Sequence, residues 1–81
     1  MSKDKVIDLY CAVALETAGF KIQDMIKNHK NGKMIFFFED SLELQATKKD
    51  YYDRKLKLIP QDIFHNLKYL KGQIYNSSYD S

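Results

Sequence analysis

Cys11, His29 and His65 are the side chains of this 81-residue chain best suited to nucleophilic or general-base chemistry near neutral pH. A Cys–His pair yields a thiolate nucleophile when the imidazole takes the thiol proton. Here Cys11 falls on an apolar stripe of Ile7, Tyr10, Cys11, Ala14, Leu15 and Ala18, where a lone thiol acts as a small hydrophobe. Two isolated histidines and one cysteine also lack the spacing of zinc ligands. The carboxylates Glu39, Asp40 and Glu43 are of the right type for a divalent cation or an acid–base pair. Asp40 and Glu43, however, stand at capping-box spacing, which gives them a structural role at a helix start. The three glycines, at 19, 32 and 72, are too scattered for a phosphate loop. The expectation is a protein that is not an enzyme and carries no metal or small-molecule cofactor.

One stretch has the composition of a nucleic-acid surface. Lys48, Lys49, Tyr52, Arg54 and Lys55 interleave cations with an aromatic, and Lys27, Lys30 and Lys33 cluster near a turn. Phosphate contacts combined with stacking on Tyr hold single strands without sequence readout. The competing reading is a helix end whose cations suit the dipole. Net charge is only +2, and the basic stretches bracket an acidic one, a pattern of mixed soluble surfaces.

The elements that must position these residues are legible from periodicity. The first helix is predicted from about Ile7, capped by Asp8 or Asp4 and stopped by Gly19. With Leu9 and Val13 off the main stripe, it is apolar over more than half its girth and should be the most buried element. Phe20 to Asn28 reads as a strand entering an Asn31-Gly32 turn, the strongest short signal for a type I′ hairpin. A two-residue loop sets Asn28 opposite Ile35, Ile26 opposite Phe37 and Met25 opposite Phe38. A second helix is predicted from about Ser41 to Arg54, with Leu44, Thr47, Tyr51 and Tyr52 inward. Lys55 to Ile59 alternates like a short edge strand. A third helix starts near Pro60 or Asp62 and carries Ile63, Phe64, Leu67, Leu70 and Ile74 on one stripe. Gly72 is a soft spot within it. Residues 1–5 and 76–81 are polar and expected to be frayed or disordered.

The run Met34-Ile35-Phe36-Phe37-Phe38 does not alternate, so its strand has apolar side chains on both faces. One face groups Met25, Met34, Phe36 and Phe38; the other groups Ile22, Ile26, Ile35 and Phe37. A one-residue slip would exchange the sets. Helices can cover one face; the other, with Ile22, Ile26, Ile35 and Phe37, is the candidate interaction surface.

The chain's length makes residues 1–81 one small domain with a thin core. Hydrophobic residues at 44% and charged residues at 30% place it among soluble globular proteins. A single cysteine excludes an internal disulfide framework and fits a reducing compartment. No apolar run approaches the roughly 18 residues of a membrane span. The expected class is α+β: helix, β-hairpin, helix, short strand, helix, with the helices on one face of a small antiparallel sheet.

Read in order, Asp8-Leu9-Tyr10, Gly19, Phe36-Phe37-Phe38-Glu39-Asp40, Asp50-Tyr51-Tyr52, and Pro60 with Phe64, Leu67, Leu70-Lys71 and Ile74-Tyr75 form a recognisable series. It resembles a family of small prokaryotic and bacteriophage proteins known only as a domain of unknown function, over about Ile7 to Tyr75. The chain departs from that pattern at Tyr52, where the family carries Trp, and at Ile59, where an acidic residue often precedes the proline. The resemblance implies a phage or mobile-element setting and brings no activity. The function expected is a protein–protein interaction module, a bacteriophage accessory protein that binds itself or a host factor in the cytoplasm of a bacterium or infected cell. The alternative is a small nucleic-acid-binding protein.

Overall fold

The computed structural model describes residues 2–79, with side chains to residue 75. The order is β1 (Lys3–Val6), α1 (Leu9–Thr17), β2 (Ile22–Lys27), β3 (Met34–Glu39), α2 (Leu42–Tyr52) and α3 (Pro60–Tyr79). The strands form one antiparallel sheet, β1-β3-β2, with the helices against one face.

α1 is set by its ends. Asp8 caps it, accepting a hydrogen bond from the Tyr10 N–H at 2.9 Å. At its C-terminus the Phe20 N–H donates to the Leu15 carbonyl and the Gly19 N–H to the Glu16 carbonyl, both at 3.0 Å. This is a Schellman motif, and Gly19 supplies its positive φ of 111°. Between the caps, Cys11 through Leu15 are buried without a break. A helix packed on one side buries alternate groups of residues, whereas five in a row require cover on every side. Val6, Phe36 and Phe38 supply it from the sheet, Leu44 from α2 and Leu70 from α3. The prediction that this helix is the most buried element holds. Ile7 precedes it and Tyr10 and Ala18 lie at its ends, so these three are exposed and not part of the stripe.

Residues 3–5, expected to be frayed, belong to β1. Val6 pairs with Phe36 and Asp4 with Phe38 on the inner face. Lys48 of α2 reaches Asp4 at 2.7 Å, an ion pair that fastens α2 to the strand. The hairpin register also differs from expectation, by two residues: Ile26 lies opposite Ile35 and Met25 opposite Phe36. The loop is longer than two residues because Asn31 does not adopt positive φ; only Gly32 does, at 73°. The Asn28 N–H donates to the Lys33 carbonyl and the Gly32 N–H to the Asn28 carbonyl, each at 2.7 Å. The Asn28 and Asn31 side chains accept from the Lys30 and Lys33 N–H groups at 2.9 Å. A shift of two preserves parity, so the face assignments survive it.

Ser41, not Asp40, caps α2: its Oγ accepts from the Leu44 N–H at 3.0 Å. Asp40 instead accepts from Gln45 Nε2 at 2.9 Å. Leu44 is buried and Tyr51 half-buried as expected, but Tyr52 is 59% exposed. Lys55–Ile59 forms no strand; Leu56 and Leu58 turn inward while Lys55, Lys57 and Ile59 face water. The alternation was one-sided burial without a ladder partner. α3 begins at Pro60, where the missing N–H costs nothing. Ile63, Leu67, Leu70 and Ile74 pack against the core, and Phe64 at 67% exposure does not. The helix continues through Tyr79, beyond the expected disorder from residue 76; Asp80 and Ser81 lie outside the described residues. No helix among the described residues is long and apolar enough to cross a membrane.

Gly72 sits within α3 with nothing within 4 Å of where a Cβ would stand. Gly72→Ala should therefore stabilise the fold by about 1 kcal/mol. A calorimetric scan should show the melting midpoint about 4–8 °C higher.

Candidate functional site

Side chains alternate across a strand, so the register defines what the sheet presents away from the helices. β3 contributes Ile35, Phe37 and Glu39, β1 contributes Lys3 and Lys5, and β2 contributes Asp24 and Ile26. Phe37 is central, with Lys5 beside it on one strand and Asp24 on the other. Ile35 pairs with Ile26, and Glu39 with Lys3. Ile26 is 49% exposed, and Ile35 and Phe37 are half-buried without packing on the core. The middle of this face is thus apolar, and its two flanks carry opposite charge.

Ile22 is the one predicted surface residue that the structure moves. A bulge between Ile22 and Asp24 inserts Gln23, which places Ile22 opposite Phe38 on the inner face, packed against the core. Ile26, Ile35 and Phe37 remain together on the outer face.

The residues considered for nucleic acid are differently disposed. Lys48 is mostly buried against Asp4, and Lys49 lies 3.6 Å from Asp53 in an exposed i,i+4 pair. Tyr52 packs edge-to-face on Tyr51, with ring centroids 5.0 Å apart. Arg54 and Lys55 are exposed past the end of α2. Arg54 has a positive φ of 61°, taking the αL position that usually belongs to Gly. The patch therefore offers Lys49, Tyr52, Arg54 and Lys55 to solvent, while Lys48 is held against Asp4.

Cys11 is fully buried, and burial raises its thiol above the usual range, which opposes thiolate formation. The neighbouring Tyr52 hydroxyl is pushed up to about 12, first by burial of the hydroxyl and then by Cys11. His29 lies in the hairpin turn and His65 on the exposed side of α3. Among the described residues no group of three or more His, Cys, Asp or Glu side chains is placed to hold a metal ion.

The sequence reading missed Glu16. Its Oε2 is buried without a hydrogen-bond partner in an open cleft of about 580 Å³, lined also by Lys21, Met25, Tyr69, Leu70 and Gln73. Burial alone raises this carboxyl. No local pattern distinguishes Glu16 from a solvated acid; its environment is completed by Tyr69, Leu70 and Gln73 of α3, far along the sequence.

Two outcomes follow. A raised carboxyl pKa means that the folded state holds the proton longer than the unfolded state, so stability falls as pH rises from about 4.5 towards neutrality. Glu16→Gln should remove that decline, matching wild type near pH 3.5 and exceeding it at pH 7 in urea unfolding. Cys11 should react with a thiol reagent only once denaturant unfolds the protein, as followed by absorbance of the released product.

Neither the curated proteins nor the solved structures contain a match to the chain. A family profile described as a domain of unknown function matches residues 1–76. That span takes in the sheet, α1, α2 and most of α3, and the chain accordingly belongs to the domain-of-unknown-function family DUF5659.

Proposed function

We propose that this protein is a non-enzymatic protein–protein interaction module whose contact surface is the outer face of the sheet. The observation that carries this reading is the cluster of Ile26, Ile35 and Phe37 on a face that none of the three helices covers. Apolar side chains gathered on an uncovered surface mark interfaces. A central aromatic with a charged rim is also the usual anatomy of a contact patch. The thiol of Cys11 is buried and the Asp40 carboxylate accepts from Gln45, so neither supports a competing catalytic reading. The setting we propose is the one the sequence resemblance suggests, an accessory role in the cytoplasm of a prokaryote or a phage-infected cell.

Phe37→Lys tests this. Because Phe37 lies outside the core, the variant should keep the wild-type circular dichroism spectrum and melt within a few degrees of it. Chemical crosslinking in extracts of expressing cells should give adducts with wild type and with a distant control, Lys68→Glu, but not with Phe37→Lys. Adducts that persist unchanged in Phe37→Lys would reject the surface. Salt-sensitive binding to single-stranded oligonucleotides, lost on mutating Arg54 and Lys55 but indifferent to Phe37, would favour a nucleic-acid role for the end of α2 instead.

A further inference from the structure

The outer face is close to self-complementary when its charges are placed by register. Across the Phe37 row the order is Lys5, Phe37, Asp24: a cation on the β1 side, an aromatic in the centre, an anion on the β2 side. A two-fold axis lying between two such faces and running parallel to β3 exchanges the β1 side of one copy with the β2 side of the other. Lys5 of each copy then meets Asp24 of its mate, and Phe37 meets Phe37. An axis perpendicular to the strands through the same row stacks Lys5 on Lys5 and Asp24 on Asp24. Only the parallel axis turns the row's charges into attractions. At the rim it brings the two Glu39 carboxylates near each other, but each keeps Lys3 as its cross-strand neighbour, so the set of four groups is neutral.

We infer that the occupant of this face is a second copy of this chain, packed sheet to sheet about a two-fold axis parallel to β3. The inference rests on the proposed reading of the face as a contact surface and names the partner. An isologous contact of this kind uses the same patch on both copies, and two sheets packed face to face keep their strands roughly aligned. Size sets the strength. Three strands spaced about 4.8 Å apart, with a rise of about 3.4 Å per residue, give a face of roughly 14 by 20 Å. That is about 280 Å² per copy, well under the roughly 800 Å² per partner of a standard specific interface, so the dimer is weak and dissociates on dilution through the micromolar range.

The test is sedimentation equilibrium on the full chain at low ionic strength, from about 10 to 500 μM. Wild type should be a dimer at the upper end and a monomer at the lower, and added salt should weaken it. Phe37→Lys should be a monomer throughout. Lys5→Glu and Asp24→Lys each turn both attractions into repulsions, so each alone should dimerise about tenfold more weakly. An equimolar mixture of the two should recover mixed dimers of near wild-type affinity, which also shows that both variants are folded.

Wild type that stays monomeric at 500 μM overturns the inference. So does a dimer whose affinity neither charge reversal changes, or one that survives Phe37→Lys. If pure wild type is monomeric but Phe37-dependent crosslinks persist in cell extracts, the second copy is excluded and the interaction-module reading stands. If both are absent, both fall.

Discussion

Enclosure of α1 is the constraint on which the remaining architecture depends. A nine-residue helix with five consecutive buried residues has no polar side to turn towards water. Side chains such as Val13 and Leu15 contribute about 1.5–3 kcal/mol each when removed from water, but only if neighbours close around the whole circumference. The sheet closes one side through Val6, Phe36 and Phe38, and Leu44 and Leu70 close the others. Small side chains at Cys11, Ala12 and Ala14 let these partners approach closely. Asn66 donates to Thr17 across the α1–α3 contact at 2.9 Å, fixing the two helices lengthwise. All three helices are thereby gathered on one side of the sheet, and among the described residues no further element covers the other.

The uncovered face is therefore a consequence of how the core is built, and it differs in kind from a scattered surface residue. Phe36 and Phe38 are buried at 1% and 0% exposure, whereas Phe37 between them is not part of the core. Three adjacent phenylalanines with two different environments follow from the pleat alone. On either side of Phe37 the cross-strand neighbours are charged, which confines the apolar area to the centre of the face. The ion pair between Lys48 and Asp4 acts on the inner side of β1, so Lys3 and Lys5 are left to define the electrostatics of the outer face.

What the sequence disclosed was governed by period. The buried character of the first helix, the two faces of Met34–Phe38 and the stripe of the third helix were all legible, because each repeats over several residues. β1 was not: Lys3-Asp4-Lys5-Val6 shows a single apolar side chain, and its strand character is imposed by pairing with β3. Without β1, the row of Lys5, Phe37 and Asp24 was invisible too. Asn31-Gly32 correctly marked the turn but not its length, since the side chains of Asn28 and Asn31 stabilise a wider loop. Parity protected the face assignment from that error except at Ile22, where the bulge at Gln23 reverses it. Ile7, Tyr10 and Phe64 matched a helical stripe yet lie beyond the reach of neighbouring elements. Capping was misplaced by one residue because Asp40 and Ser41 are both competent, and only Ser41 is aligned with the Leu44 N–H.

The enclosure of α1 also has a consequence in time. The helix is made before every partner except β1, and Leu70, which closes its last side, belongs to the final element. At roughly 5–20 residues per second, Leu70 follows Leu15 out of the ribosome by several seconds, whereas the β2–β3 hairpin closes in about 1–10 μs once both strands are present. During that interval Cys11 to Leu15 can rest on the inner face of the hairpin but cannot be sealed. Folding of this domain thus waits for α3, and α1 stays incompletely enclosed until Leu70 has emerged.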